Sequence, residues 1–412
     1  MKDLFESLCA RPGIFYLPRA EESMEKWAMV ACDQYTAQKE KWLEADKAVG
    51  RSPSALRLII PEAFLEESDR RVPEAQAAME DYLSSGVLRQ AVDGMVLVRR
   101  TTQSGTRLGL VMTVDLECYD YSPSSHSLIR PTEGTIVSRI PPRQKVRRGA
   151  KVELSHVLLL CDDPNRTVIE PVDQMRDQLR PLYDTKLLLG GGRAQGWAVE
   201  DEETLSRIAS AIRALKDSLP ENGILFAVGD GNHSLATAKA HWEEVKARLP
   251  ESERADHPAR FAMVELMNIY DAALVFEPIH RVLFDVTGRQ ALDMLKEADV
   301  RQDGEQPDLI LVCKAGDIPL RIGKPLHSLP VGTVQKLLDR QKELKLDYVH
   351  GEDAVRQLVA AGQNVGILLP PMDKATLFPA VEKNGPLPRK TFSMGEANEK
   401  RYYMEARRIT RE

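Results

Sequence analysis

Several stretches of this chain gather acids, histidines, arginines and hydroxyls closely enough to do chemistry. The first runs from Val228 to Ala240 and contains Asp230, Gly231, Asn232, His233 and Ser234 between an apolar strand and a helix-forming segment. At a helix start the first backbone N–H groups lack intrahelical partners, and the helix dipole adds partial positive charge. A phosphate group fits there. Gly231 permits a tight or left-handed turn, and Asn232 or Ser234 can cap the helix. His233 can donate to an oxyanion or move a proton. Asp230 can orient the histidine or hold a metal-bound water. The plainer alternative, a well-capped turn with an incidental histidine, stays open on these residues alone.

The second stretch, Arg130 to Lys145, interleaves Arg130, Arg139, Arg143 and Lys145 with Thr132, Thr135 and Ser138 around one acid, Glu133. Guanidinium forks and hydroxyls suit phosphate or carboxylate groups. Glu133 has the chemistry of a Mg²⁺ ligand or a general base. A solvated basic loop paired with surface acids is the alternative. The third stretch is Glu277-Pro-Ile-His280-Arg281, whose last two residues could complete an anion site or form a surface pair. The fourth, Trp27 to Tyr35, ends an apolar run at Cys32 and Asp33, where strand-end residues often face a pocket. No base adjoins Cys32, so a nucleophile is not indicated. Pro388 to Ser393 adds a late cluster of basic and hydroxyl residues. The P-loop, Rossmann, G-x-S-x-G and H-E-x-x-H patterns are all absent.

The elements that must position these residues read as mixed. Strands are expected at residues 56–60, 95–99 and 107–114, the last two forming a hairpin around Gln103-Ser-Gly105. A second hairpin is expected from Ser155–Cys161 and Thr167–Ile169. A strand pair over 186–189 and 196–199 is broken by Gly190-Gly-Gly192. Helices are expected over 72–83, over 205–219 from the spacing of Leu205, Ile208, Ile212, Leu215 and Leu219, and over 235–249. Further strands are expected at 224–228, 261–267 and 274–276. Beyond Asp285 the expectation is helices over 291–298, 334–344 and 354–361 and strands at 309–313, 318–322 and 365–369. Tyr119 to Lys151 reads as a long irregular loop, a feature often tied to function. The fold class is therefore α+β, a mixed α/β chain with a larger N-terminal part, 1–284, and a smaller C-terminal α/β part, 285–412.

Length and composition bound the function. The chain has 412 residues, is 43% hydrophobic and 29% charged, and carries a net charge of −6. That balance disfavours a dedicated nucleic-acid binder, although Arg143 to Lys151 is a local basic run. No apolar run reaches the ~18 residues of a membrane span, and no signal peptide is expected. Five scattered cysteines read as reduced thiols of a cytoplasmic protein.

The ordered set of motifs resembles the domain-of-unknown-function 1015 family. It comprises W-A-x-V-A-C-D-Q-Y, R-P-T-E-G-T-x-x-x-R-I-P-P-R, D-D-P-N-x-T-V-I-E-P, G-G-G-x-x-x-G-W, D-G-N-H-S-x-A-T-A, E-P-I-H-R and T-F-S-M-G-E-A, and covers most of the chain. Asp230, Gly231 and His233 match the family's D-G-H-H-R. Asn232 replaces its first histidine and Ser234 its arginine. Arg130, Glu133 and Thr135 resemble its R-H-E-x-T. The family is similar to the ParB/sulfiredoxin superfamily of small nucleotide-binding domains, some of whose relatives are free-serine kinases using ADP or ATP.

The resemblance implies a ParB/sulfiredoxin-like core with ATP or ADP and Mg²⁺ as cofactors. It implies phosphoryl transfer to a hydroxyl of a small metabolite such as serine. Glu133, Asp230 and His233 would be the catalytic residues, with Glu133 and Asp230 as the Mg²⁺ ligands. Arg130, Thr135, Arg139, Arg143, Gly231, Asn232, Ser234, His280 and Arg281 would bind the nucleotide phosphates. The alternatives are a ParB-like regulatory or nucleic-acid-associated module and a degenerate metabolite-binding protein. A homo-oligomer is left open.

Overall fold

Apolar side chains at helical spacing bury one face of each long helix in the larger half of the chain. Leu205, Ile208 and Ile212 lie buried on the helix Glu202–Asp217, whose start is capped by Asp201 accepting the Thr204 N–H. Leu235, Ala238 and Trp242 do the same on the helix Asn232–Lys246. Both stripes join the core on one face of a ten-stranded mixed sheet. The computed structural model describes residues 2–411, and its architecture is the α+β class expected, with several sheets and eleven α-helices among those residues.

The chain divides into two compact units. The larger comprises Met1–Pro131, Thr135–Leu274 and Gly395–Glu412. Its main sheet runs, in spatial order, Ile129–Pro131, Phe226–Asp230, Leu158–Cys161, Phe261–Asn268, Gly105–Asp115, Leu88–Thr102, Gly192–Val199 and Arg180–Leu187. The first two strands are parallel, as are Leu158–Cys161 and Phe261–Asn268, and the other neighbours are antiparallel. Central strands buried on both faces read as near-continuous apolar runs, which is why Phe261–Asn268 is buried at every position. The C-terminal segment adds Tyr402–Tyr403 beside Met29–Val30 and Arg407–Arg408 beside Val152–Glu153.

The smaller unit comprises Thr132–Gly134 and Val275–Met394. It holds an antiparallel sheet in the order Val300–Gln302, Gly316–Ile322, Leu309–Cys313, Val365–Leu368, Phe276–Leu283 and Leu346–His350, with Phe392–Met394 joined to the Phe276 end. Its helices include Gly288–Leu295, opened by a capping box between Thr287 and Gln290, Pro330–Leu338 and Glu352–Ala361.

Several local expectations are corrected. Residues 56–60 form no strand. Ser54 accepts the Leu56 N–H, and a 3₁₀ turn, Ala55–Arg57, follows. Thr167–Ile169 is not the second arm of a hairpin, because the Asp163 carboxylate binds the amides of Thr167 (2.6 Å) and Val168 (2.9 Å) and curls the chain into the helix Glu170–Gln174. A carboxylate that binds nearby amides competes with strand pairing. The stretch Tyr119–Lys151 is less irregular than its composition suggests. It contains Ile129–Pro131 and the helix Ile140–Arg147, whose two prolines occupy the first turn, where no N–H is missed. The expected helix over 334–344 begins earlier, at Pro330, and ends at Leu338.

The reading of five reduced thiols is also corrected. Cys9 and Cys118 form a disulfide, with Cα atoms 5.7 Å apart, although 109 residues separate them in sequence. Such a pair is set by the sheet. Ala10 sits opposite Val114 in the register of Ala10–Arg11 on Gly105–Asp115, and this brings the two cysteines together. Cys32, Cys161 and Cys313 are free. Alkylation of unfolded, unreduced protein is therefore expected to label three cysteines, and all five after reduction, as counted by intact mass.

Candidate functional site

The strand Phe226–Asp230 delivers its last residue to the turn that starts the helix Asn232–Lys246. Gly231 is the turn, at φ +77°, a left-handed conformation that residues with a Cβ adopt at a cost. The first amide bonded within the helix is that of Leu235, to the Gly231 carbonyl at 3.0 Å. The N–H groups of Asn232, His233 and Ser234 thus lie at the positive end of the helix with no carbonyl of their own helix to bind. Neither Asn232 nor Ser234 caps the helix as the sequence suggested. Gly231 is the cap residue and offers no side chain, and the buried Oδ1 of Asn232 has no hydrogen-bond partner.

Asp230 closes the turn from behind. Its Oδ1 accepts the Gly231 N–H at 2.9 Å, and its Oδ2 pairs with Lys400 Nζ at 3.2 Å. Burial alone would raise its pKa, but Lys400, His156 and the Gly231 amide outweigh burial and hold the carboxyl below its ordinary value. Asp230 is therefore an ionised, lysine-paired carboxylate.

His233 is held as a neutral ring. Burial and the nearby Arg143 and Arg139 push its pKa down to about 4. Its Nε2 accepts the Ile136 N–H at 3.1 Å, which leaves Nδ1 to carry the proton. The ring is thus a hydrogen-bond donor through Nδ1. On the same helix burial and Arg147 push His241 down to about 4 as well. Both rings take up protons more readily in the unfolded chain. Stability of the larger unit is therefore expected to fall as pH drops from 6.5 toward about 4, and to be indifferent to these rings at higher pH. Urea midpoints across that window check this, and glutamine at both positions should flatten the dependence.

The arginine-rich stretch contributes unevenly. Arg143 pairs with Glu62 and donates to the Arg139 carbonyl at 2.8 Å. Arg139 is exposed, acts on His233 through its charge, and has no carboxylate partner among the described residues. Arg130 is buried at the other end of its strand pair, where it donates to the carbonyls of Ser125 and Asn222. Thr135 is half-buried, and its hydroxyl lies beside the buried Tyr119 phenol. Asp230, Gly231, Asn232, His233, Ser234, Thr135, Arg139 and Arg143 all belong to the larger unit.

Glu133, His280 and Arg281 belong to the smaller unit. There the Glu133 carboxylate accepts the Lys390 N–H at 3.2 Å and lies in the field of Arg281. Arg281 is fully buried, donates to the carbonyls of Ile279, Arg389 and Lys390, and reaches Gln335 Oε1 at 3.2 Å. Burial pushes its pKa down to about 10. His280 is buried and accepts the Leu369 N–H at 3.1 Å through Nδ1. Both residues hold backbone within their own unit.

The sequence reading missed residues that the larger unit places at the Gly231 turn. A methyl built on Gly231 would lie 3.3 Å from His156 Cδ2 and 3.0 Å from Val157 Cα. His156 in turn meets Tyr403 and Asp33. Lys400, Arg401 and Tyr403 come from the last eighteen residues of the chain, remote in sequence from Asp230, Glu265 and His156, which they meet. The available signal for His156 was a polar Ser155-His156 pair opening an otherwise apolar strand, and for Asp33 its place at the end of an apolar run.

No curated protein matches the chain. Solved structures that resemble it include a free serine kinase in complex with AMP, with 11% identity and TM-score 0.40 over 73% of this chain and 92% of that one. A mutant free serine kinase in complex with ADP gives 10% identity and TM-score 0.41 over the same shares. SbnI from Staphylococcus aureus gives 9% identity and TM-score 0.38 over 69% of this chain and 83% of that one. Likeness at this level assigns nothing to this chain. A family model described as "Protein of unknown function (DUF1015)" matches residues 16–407, and the chain belongs to that family.

Proposed function

We propose that the larger unit binds the phosphates of a nucleotide, ATP or ADP with Mg²⁺, and that the protein transfers a phosphoryl group to a hydroxyl of a small metabolite. A free amino acid such as serine is the acceptor class. One observation carries this reading. The Gly231 turn presents three helix-start amides and the Nδ1–H of a neutral His233, with Arg139 and Arg143 next to them. Phosphoryl transfer asks mainly for positioning and charge neutralisation, and these groups supply both. In the reaction the acceptor oxygen bonds to phosphorus, the bond to the nucleotide breaks, and the hydroxyl proton passes to a carboxylate. Glu133 is proposed for that proton or for Mg²⁺ on its residue type. Asp230 is proposed as the second Mg²⁺ carboxylate by residue type, a role in which the ion would displace Lys400 from its Oδ2.

A thermal-shift series with ADP, ATP, CTP and GTP, each with and without Mg²⁺, tests the reading. A ligand at a hundred times its dissociation constant stabilises by ~2.7 kcal/mol. The expected result is a raised melting temperature with an adenine nucleotide that His233→Ala abolishes. The absence of any nucleotide shift would sink the reading in favour of a metabolite-binding protein without phosphoryl transfer.

The nucleic-acid alternative is disfavoured by charge pairing. Arg143, Lys145, Arg147, Arg148 and Lys151 face Glu62, Asp69, Glu153, Glu244 and Glu80. A run neutralised in this way offers little to a phosphate backbone. Gel shifts at low salt are expected to show no complex with duplex or single-stranded DNA. Among the described residues no helix is long and apolar enough to cross a membrane.

A further inference from the structure

A second polar cluster in the larger unit adjoins the Gly231 turn, and the phosphate reading leaves it without a task. His156 is buried, with Nδ1 2.8 Å from the Tyr403 hydroxyl and Nε2 3.6 Å from Asp33 Oδ2. Burial raises the Tyr403 pKa well above its ordinary value, so the phenol keeps its proton. The phenol oxygen accepts the Cys32 N–H at 3.1 Å. Its proton faces His156 Nδ1, a far stronger acceptor than the neighbouring thiol. The other ring nitrogen, Nε2, faces Asp33 at the 3.6 Å separation of an ion pair. Tyr403 thus orients the His156 ring, whose far edge stands beside the carboxylate.

Asp33 is the accessible member of the group, with its side chain 29% exposed. Its Oδ1 accepts from Gln34 Nε2 at 2.9 Å. Its charge reaches His233, which places it beside the helix start. Asp230 is neutralised by Lys400, but no lysine or arginine pairs with Asp33 among the described residues. The neighbouring His233 is neutral and supplies no charge. A partly desolvated carboxylate in that position favours a cation. Mg²⁺ fits poorly, because it demands a full oxygen shell and here a histidine ring nitrogen stands 3.6 Å from the lone carboxylate. An ammonium group, with three donors and a compact charge, fits well.

We propose that Asp33 is the residue that recognises a positively charged amino group on the phosphate acceptor, with His156 and Tyr403 as positioning residues. The acceptors are then amino alcohols and hydroxy amino acids, in preference to neutral polyols and hydroxy acids. The inference rests on the phosphoryl-transfer reading and narrows its substrate class.

The test is calorimetric titration of the full chain, saturated with ADP and Mg²⁺, using L-serine, ethanolamine, glycerol and glycerate. A charged hydrogen bond of this kind corresponds to a ~10-fold to ~100-fold preference. The expected result is that preference for the two amines, lost in Asp33→Asn and weakened in Tyr403→Phe. A purely structural role for Tyr403 would lower the melting temperature without changing the ratio of amine to non-amine affinity. The nucleotide-induced thermal shift serves as the folding control for each variant. Equal binding of glycerate and L-serine overturns the assignment. So does a protein that binds nucleotide but neither amine, and so does a stabilisation by Mg²⁺ alone that Asp33→Asn removes. No nucleotide shift in the wild type overturns the phosphoryl-transfer reading itself, whereas a nucleotide shift without amine preference overturns only the role of Asp33.

Discussion

Arg401→Ala is expected to lower the stability of the larger unit by ~3–5 kcal/mol, the cost of leaving buried charges without their partner. Arg401 is 3% exposed, and its guanidinium pairs with Glu265 (2.7 Å) and Glu405 (2.9 Å) while donating to the Ser155 carbonyl. Tyr183 donates to the other Glu405 oxygen at 2.5 Å. Removing the arginine strands two carboxylates in a core also lined by Tyr402, Met404 and Val98. Urea unfolding followed by tryptophan fluorescence measures the loss. The triple replacement Arg401→Met, Glu265→Leu, Glu405→Leu is expected to recover most of it, since a packed apolar group can replace a buried ion network at little cost. An Arg401→Ala variant as stable as the wild type would show that the network is not closed. Because Arg401 holds the Ser155 carbonyl next to His156, the same variant should also weaken ligand binding at the Gly231 turn.

Gly231→Ala is expected to cost ~2–5 kcal/mol and to abolish the nucleotide shift. A left-handed residue with a Cβ costs ~1–2 kcal/mol. Displacing packed neighbours adds ~1–3 kcal/mol. The added methyl would stand 3.0 Å from Val157 Cα, a backbone atom that can yield only by moving its strand. The useful comparison is Gly134→Ala, where a Cβ meets nothing within 4 Å. That variant should stay within ~0.5 kcal/mol of the wild type. A Gly231→Ala protein that still binds ADP would separate the turn from the phosphate site.

Much of the architecture was legible because it is local. The helix Glu202–Asp217 announced itself through apolar spacing and an aspartate cap, and the hairpin Leu88–Thr102 with Gly105–Asp115 through its turn at Gly105. The strand–Asp230-Gly231–helix junction was legible for the same reason, since a glycine between an apolar strand and an amphipathic helix marks a turn that needs positive φ. Residues 167–169 misled because three β-branched residues in a row resemble a strand until the Asp163 carboxylate is seen binding the first two amides. Arg130, His280 and Arg281 have the residue types of anion ligands, and each also bonds backbone groups around it, which residue type alone does not reveal.

The sequence by itself determined the α+β class, the family, the helix start at Gly231 and the group of arginines downstream of Thr135. Each of these rests on short motifs or periodicities whose residues lie within a turn or two of one another, and the family on their order along the chain. The tertiary structure alone decided that Cys9 meets Cys118, that Lys400 neutralises Asp230, and that His156 meets Tyr403 and Asp33. Each of those pairs spans about a hundred residues or more, and pairing across such distances follows from sheet register and from the path of the C-terminal segment. Residue type states what a side chain can do, but which partner it does it with depends on which strands become neighbours, and local preference carries no trace of that choice.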